Sequence, residues 1–190
     1  MVSFYFLSHR FKRSMLEITS DTSYDVLWKY LLPHKKQPLP RDVIFSVAAG
    51  KKKYDIIRLY ESGEYFYSKK IIDIFSQFVD MSDKCYPINI KDVDQPYYVI
   101  YNLERFQFFN QDENLFDDEP ACIGAQDTLK PLFSLEHTKA IIVSENIKDA
   151  LLKEKVSNIE LEECFGCSFE EFQKLRESGV QPEVHVYNDR

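Results

Sequence analysis

The feature that most constrains the fold is one pattern that occurs twice in the chain. At 140–163 the sequence reads AIIVSENIKDALLKEKVSNIELEE, and at 65–90 it reads YFYSKKIIDIFSQFVDMSDKCYPINI. In each copy an apolar run ends at a serine, Ser144 or Ser68, an amphipathic stretch follows, and an alternating run comes last. Helical spacing of apolar residues indicates a helix, whereas alternation indicates a strand. The pattern therefore predicts two units of strand, serine N-cap, helix and strand.

The composition favours a folded domain of mixed secondary structure. Of the 190 residues, 44% are hydrophobic and 15% are aromatic, which is enough for a packed core. Strands and helices follow one another without a regular βαβ alternation. We therefore expect an α+β fold with a mixed, largely antiparallel sheet and a few packed helices. We expect one domain over residues 1–190, which would divide near residues 103–130 if it forms two lobes.

Charge and hydropathy bear on partners and location. The net charge is −7, which disfavours nucleic acid and anionic membranes and favours a basic protein partner. No apolar run approaches the ~20 residues of a membrane helix, and the start of the chain does not resemble a secretory signal. We expect a cytoplasmic protein. The chain has only 5 glycines, so we expect no phosphate-binding glycine loop and no cofactor.

Three further segments carry local predictions. Residues 23–32 have apolar side chains at helical spacing and predict a short helix. Residues 43–47 alternate and predict a mostly buried strand. Ser168 and Glu171 fit the S-x-x-E capping box before a last helix, and Gly179 is a typical helix C-terminus.

The sharpest catalytic-looking motif is the C-F-G-C sequence that runs from Cys164 to Cys167. It follows a predicted strand and precedes a predicted helix, and a helix N-terminus lowers the pKa of a thiol. A thioredoxin-like unit would need further strands and a helix, whereas only 23 residues follow Cys167. Packing of two small residues is the preferred interpretation, and a redox pair is the alternative. The remaining cysteines and the histidines lack the spacing of zinc ligands, so we expect no metal site.

An acidic loop at 111–120 (QDENLFDDEP) is the candidate partner-binding segment. Its spacing is not that of a calcium loop, so a solvated loop or a charged patch for a basic partner is the expectation. Its acidic residues are Asp112, Glu113, Asp117, Asp118 and Glu119. The basic clusters at 35–36 and 51–53 are interpreted as solvated turns.

The order of segments between about residues 40 and 163 resembles a known family. A strand with Asp55 precedes the serine-capped helix YSKKIIDIFSQF, a YYVIYN strand follows at 97–102, and the second helix unit comes last. This is similar to the bacterial immunity proteins of polymorphic toxin systems, earlier filed as a domain of unknown function. The positions that match the motifs of the family are Ser68, Asp73, Tyr97, Tyr98, Asn102, Ser144, Glu145, Asp149 and Leu151.

The resemblance implies a protein that works by binding. Immunity proteins are non-enzymatic and neutralise one cognate toxin, and the family supplies no catalytic residues to carry over. The chain departs from the family pattern after Asn102, where an aspartate and a serine are usual and this chain has 103-LERF-106. The alternatives are a thiol-dependent redox enzyme that uses Cys164 and Cys167, and a structural adaptor domain. The sequence leaves the oligomeric state open.

Overall fold

Two β-sheets organise the computed structural model, which describes residues 2–106, 122–124, 130–135, 139–179 and 183–187. In chain order, the strands are β1 (Val2–His9), β2 (Glu17–Ser20), β3 (Ile44–Ala49), β4 (Ile56–Leu59), β5 (Tyr65–Ser68), β6 (Cys85–Ile90), β7 (Tyr97–Ile100), β8 (Arg105–Phe106), β9 (Cys122–Gly124), β10 (Leu132–Leu135), β11 (Ile141–Ser144), β12 (Ile159–Cys167) and β13 (Val184–Tyr187). The helices are α1 (Tyr24–Leu27), α2 (Lys69–Phe75), α3 (Glu145–Lys153) and α4 (Phe169–Ser178).

One sheet is open and the other closes on itself. The open sheet has the order β13-β12-β1-β11-β10-β8, with β9 paired to the C-terminal half of β12. The closed sheet is a six-stranded barrel in the order β2-β3-β6-β7-β5-β4. Antiparallel pairs outnumber parallel pairs in both sheets among the described strands. The predicted α+β fold with a mixed, largely antiparallel sheet is confirmed.

The two copies of the repeated pattern have the same topology. In the first copy, β5 and β6 both pair antiparallel with β7, which lies between them. In the second copy, β11 and β12 both pair antiparallel with β1, which lies between them. Each copy is therefore a strand–helix–strand unit with two parallel strands separated by one strand from elsewhere in the chain. The first unit belongs to the barrel and the second to the open sheet.

A shared core joins the two sheets, because α2 and α3 pack against each other between them. This core combines fully buried side chains of both helices with side chains from both sheets, including Ile56, Ile71, Phe75, Ile141, Ile147, Leu151 and Leu161. A second core fills the barrel, where Leu27 and Leu31 from the α1 region pack against Phe45, Phe66 and Val99. The interpretation as one domain over 1–190, dividing near 103–130, stays a prediction.

The local predictions were right in part. Ser68 accepts a hydrogen bond from the backbone of Ile71, whereas Ser144 occupies the N-cap position of α3 without a side-chain cap bond. The capping box of Ser168 and Glu171 is present, and Gly179 closes α4 in the left-handed conformation with φ 65°.

The structure corrects the predictions for β3 and for the helix at 23–32, and it bears on the expectation that the chain has no membrane helix. Only Phe45 is buried in β3, so the expectation of a mostly buried strand was wrong. Regular helix at 23–32 is limited to the four residues of α1. Within the described ranges, the helices are too short and too polar to cross a bilayer.

Candidate functional site

The predicted partner-binding segment has no described geometry. Its acidic residues, Asp112, Glu113, Asp117, Asp118 and Glu119, lie outside the described residues. Their role as a contact surface therefore stays a prediction. The candidate site that the structure does describe is built from other parts of the chain.

The cysteine pair lies at the end of β12, directly before Ser168, the N-cap of α4, as the sequence predicted. Cys164 and Cys167 both belong to β12, and both are fully buried. Because side chains alternate along a strand, residues three apart face opposite sides: Cys164 packs with Phe4, and Cys167 packs with Phe172. Burial raises the pKa of both thiols, which is the reverse of the activation that a redox site requires. The geometry gives no support to the thiol-enzyme alternative.

Lys148 of α3 and Tyr5 of the open sheet are in contact, but they do not form a catalytic pair. The ammonium of Lys148 lies 3.4 Å from the hydroxyl of Tyr5 and 4.6 Å from the centre of its ring. Burial opposes the charge of Lys148, but hydrogen bonds with Asp149 and Tyr5 raise its pKa, and burial raises the pKa of Tyr5. Both groups keep their protons at neutral pH, so neither is poised as a base. In the described part of the chain, no three His, Cys, Asp or Glu side chains could together hold a metal ion.

The short helix α1 presents two aromatic side chains to solvent. Leu27 is 2% exposed and fills one end of the barrel core, which fixes the face that α1 turns inward. Tyr24 and Trp28, one helical turn apart, are consequently held outside, where they are 36% and 46% exposed. Trp28 is the only tryptophan of the chain. Large aromatic side chains held in this way are the residues that most often dominate binding to another protein.

A buried carboxylate holds this region in place. Glu64 is 1% exposed and accepts hydrogen bonds from the hydroxyl of Tyr24, at 2.7 Å, and from the hydroxyl of Ser62. The ammonium of Lys139, which lies just before β11, is 2.9 Å from the same carboxylate. Burial alone would raise the pKa of Glu64. The hydrogen bonds from these three donors outweigh the effect of burial, so the pKa of Glu64 is lowered. Glu64 therefore stays ionised at neutral pH and connects α1 to the open sheet.

A surface depression of about 420 Å³ lies beside these groups. We call it the Trp28 depression. Its apolar walls are Tyr24, Trp28 and Leu32, and its cationic walls are Lys35, Arg105 and Lys139. The ammonium of Lys35 lies 4.3 Å from the centre of the Trp28 ring, which is the geometry of a cation–π contact. The depression therefore combines an exposed indole with cationic side chains from three segments of the chain.

A second depression, of about 220 Å³, shares Tyr24 with the first. Its walls include Asp21, Glu61 and the hydroxyl-bearing residues 20 and 22–23.

Sequence reasoning missed the Trp28 depression for an identifiable reason. Its walls come from residues 24–35, 105 and 139, which are far apart in the sequence and come together only in the folded chain. One signal was available: Val26, Leu27, Tyr30 and Leu31 carry the predicted apolar face of the helix, and Trp28 lies outside that set. A lone tryptophan off the apolar face of a short helix indicates a surface position.

Comparison with known proteins gives no identification. A scan against protein-family models and a search among curated proteins both yield no match for this chain.

Proposed function

We propose that this chain is a non-enzymatic immunity protein that binds one cognate bacterial toxin and neutralises it in the cytoplasm of the producing cell. The resemblance of residues 40–163 to that family motivates the proposal. The motif positions with structural roles include Ser68, which caps α2, and Tyr97, whose hydroxyl donates to the backbone oxygen of Tyr54 at 2.7 Å. These contacts support a structural role for the motif residues. We therefore expect the toxin to bind to other surfaces of the protein.

The observation that carries the proposal is the exposed pair of Tyr24 and Trp28 on a fixed scaffold. Tyrosine and tryptophan are enriched among the residues that supply most of the binding energy of protein interfaces. Here the position of the pair is fixed by the packing of Leu27 in the barrel core and by the hydrogen bond from Tyr24 to Glu64. A surface ordered before binding loses little conformational freedom when the partner arrives. This favours a protein-binding role.

The negative charge of the chain should also increase the rate at which it associates with the toxin. The net charge of −7 attracts a basic toxin over long range, and such attraction raises the rate of association more than the final affinity. The acidic side chains Asp112, Glu113, Asp117, Asp118 and Glu119 are the proposed source of local steering. Changing all five to amides would slow association, most clearly at low salt.

Co-expression with the product of any toxin gene that neighbours this gene tests the proposal directly. We expect the chain to protect cells from that toxin and to elute with it as a complex in size-exclusion chromatography. Trp28→Ala should weaken the complex by about tenfold or more, as expected for a central aromatic anchor. Val26→Ala is the matched control, because Val26 is 40% exposed on the same helix but does not line the Trp28 depression. Absence of both protection and complex would reject the proposed function.

A further inference from the structure

We infer that a basic surface on two adjoining loop segments binds the surface of an anionic membrane. This surface, which we call the basic patch, consists of Lys12, Arg13, Lys51, Lys52 and Lys53. Four of these side chains are exposed, and that of Lys12 is half-buried. The inference goes beyond the proposed function and does not depend on it, because the basic patch and the Trp28 depression share no residue.

Backbone contacts hold the two loop segments together. The backbone nitrogens of Lys51 and Lys52 donate hydrogen bonds to the backbone oxygen of Ser14, at 3.0 and 2.8 Å. Gly50 permits this close approach, because a Cβ at its position would lie 1.7 Å from the backbone oxygen of Met15. The two basic segments are therefore brought together by the backbone and not by side-chain conformations that exchange freely.

The positive charge of the basic patch is not neutralised by carboxylates of the described residues. Within the described part of the chain, no ion pair is formed by Lys12, Arg13, Lys51 or Lys53. The residues that flank both segments along the chain are all described. The nearest carboxylates in the sequence have other partners, since Glu17 pairs with Arg58 and Asp55 accepts hydrogen bonds from Ser157.

A buried tyrosine holds two of the cations in place. The side chain of Tyr54 is 3% exposed, and the ammonium groups of Lys12 and Lys52 lie 4.9 and 4.7 Å from the centre of its ring. Such cation–π contacts position an ammonium group without removing its charge. Like charges gathered on one surface repel one another, and an anionic partner offsets that repulsion.

The chemistry of the basic patch favours a membrane surface as the anionic partner. The two described depressions are lined by other residues, so the patch offers an exposed surface and not a cavity for one small anion. Four of its five cations are lysines, which carry compact charges on flexible apolar stems. Such side chains suit a diffuse layer of lipid headgroups, which needs no fixed geometry of hydrogen bonds.

An exposed aromatic side chain adjoins the basic patch. Phe11 directly precedes Lys12 and is 52% exposed. The guanidinium of Arg58 lies 4.5 Å from the centre of its ring and holds the ring in position. An aromatic ring beside basic side chains is typical of surfaces that enter the boundary between headgroups and acyl chains. Phe11 therefore supplies an apolar contact in addition to the attraction between charges.

The net charge of −7 does not prevent this contact. The Debye length is about 8 Å at physiological ionic strength, so acidic side chains on distant surfaces contribute little to the potential at the basic patch. Basic side chains within that distance of an anionic leaflet are each attracted to it. The uneven distribution of charge therefore orients the protein on the membrane.

The topology determines which end of the protein would face away from the membrane. Strands β2 and β4 are parallel, and the two segments of the basic patch precede them along the chain. Helix α1 and Glu64, which hold the Trp28 depression, follow the opposite ends of the same strands. A chain bound through the basic patch would therefore leave Trp28 accessible from the aqueous side.

Sedimentation with lipid vesicles tests the inference. The probes are vesicles of phosphatidylglycerol and phosphatidylcholine in equal amounts, and vesicles of phosphatidylcholine alone are the control. We expect the protein to sediment with the anionic vesicles at low salt and to remain in solution with the neutral ones. The bound protein should be released as the salt concentration is raised.

Substitutions locate the contact on the protein. A triple variant with Arg13→Gln, Lys51→Gln and Lys53→Gln should lower the affinity for anionic vesicles by about thirtyfold to a hundredfold, because each cation near the surface contributes about fivefold. Phe11→Ala should lower it by about threefold to tenfold. The matched control has the same change of net charge at exposed lysines outside the patch, Lys29→Gln, Lys91→Gln and Lys174→Gln. Thermal unfolding verifies that every variant is folded.

Three outcomes would overturn the inference. The first is that the unchanged protein does not sediment with anionic vesicles at low salt. The second is an equal loss of affinity in both triple variants, which would show a general effect of charge. The third is binding of the basic patch to an RNA or DNA oligonucleotide with no binding to vesicles, which would assign the patch to nucleic acid.

This inference and the proposed function fail separately. Absence of a toxin complex would reject the proposed function and leave the vesicle result unchanged. Absence of vesicle binding would reject the inference, whereas protection from the toxin would still support the proposed function. Loss of the toxin complex in the triple variant of the basic patch, with vesicle binding unchanged, would assign the patch to the toxin and reject its role at a membrane.

Discussion

The carboxylate of Asp55 accepts two hydrogen bonds from Ser157, one from its backbone nitrogen at 2.7 Å and one from its hydroxyl at 2.8 Å. The other carboxylate oxygen accepts a hydrogen bond from the hydroxyl of Ser68 at 2.6 Å. Asp55 precedes β4 of the barrel, and Ser157 precedes β12 of the open sheet. One half-buried carboxylate therefore links the N-cap of the first repeated unit to the last strand of the second.

Asp55→Ala should lower the free energy of unfolding by about 2–4 kcal/mol, because hydrogen bonds to a charged group are among the stronger ones. Chemical denaturation measures the change, and a double-mutant cycle with Ser157→Ala measures the coupling of the pair. Asp73→Ala is the control: its ion pair with Lys69 is exposed to solvent, so its loss should change the stability little. Equal effects of the two aspartate substitutions would contradict this account.

Two buried tyrosines should respond in opposite directions to the same change. The hydroxyl of Tyr67 is buried and has no hydrogen-bond partner, whereas that of Tyr97 donates to the backbone oxygen of Tyr54 at 2.7 Å. An unsatisfied buried hydroxyl destabilises the folded state. Tyr67→Phe should therefore stabilise the protein by about 1 kcal/mol and Tyr97→Phe destabilise it by about the same amount, as measured by urea denaturation. Loss of stability in both variants would show that Tyr67 has a partner.

His9 should make the protein sensitive to mild acid. Burial, with a smaller contribution from the charge of Arg58, lowers the pKa of His9 from 6.5 to about 4. Between these pH values the unfolded chain binds a proton that the folded protein does not, so stability falls as the pH drops from 6.5 towards 4. The loss should reach about 3 kcal/mol and end below the folded pKa.

His9→Phe tests this dependence while keeping an aromatic ring beside Tyr65, whose ring centre lies 4.8 Å from that of His9. We expect the variant to lose most of the decline between pH 6.5 and 4 and to show no loss of stability at pH 7.5. Denaturation midpoints across this range provide the measurement. A profile parallel to that of the unchanged protein would assign the acid sensitivity to other groups.

The cysteines should differ in reactivity according to burial. Cys85 is partly exposed, whereas Cys122, Cys164 and Cys167 are buried. Burial raises the pKa of all four thiols, so little reactive thiolate forms at neutral pH. An aromatic disulfide reagent should modify Cys85 first in the folded protein and reach the others only on addition of denaturant. Rapid modification of Cys164 or Cys167 would revive the redox interpretation.

Local signals in the sequence predicted local structure well. Ser168 and Glu171 form the expected capping box, because the hydrogen bonds that define it join residues three apart. The helix after Ser68 was predicted because its apolar side chains repeat at helical spacing. The burial of β3 was predicted wrongly, because alternation indicates a strand but not how far along the strand the core covers it: Phe45 is buried, whereas Val47 is not. In the structure Val47 is 44% exposed on the barrel.

The candidate site was beyond the reach of sequence reasoning. Lys35 was interpreted as part of a solvated cluster, and nothing in its neighbourhood links it to Arg105 or Lys139. Their convergence depends on α1 covering one end of the barrel and on β8 and β11 lying in the same open sheet. The repeated pattern, by contrast, contains its own strands and helix, so these elements were predictable, although the strand that separates the two strands of each unit was not.

The position of β1 between β11 and β12 makes the second repeated unit dependent on order of synthesis. During translation β1 is synthesised long before β11 and β12, the two strands with which it pairs. It therefore has neither of these partners while the barrel strands between them in the sequence are synthesised. The first unit needs no such wait, since β7 directly follows β6 along the chain. Pairing across so long a stretch of chain is slow compared with local pairing. The barrel should therefore form first on the ribosome, and β1 is the segment most in need of protection until translation ends.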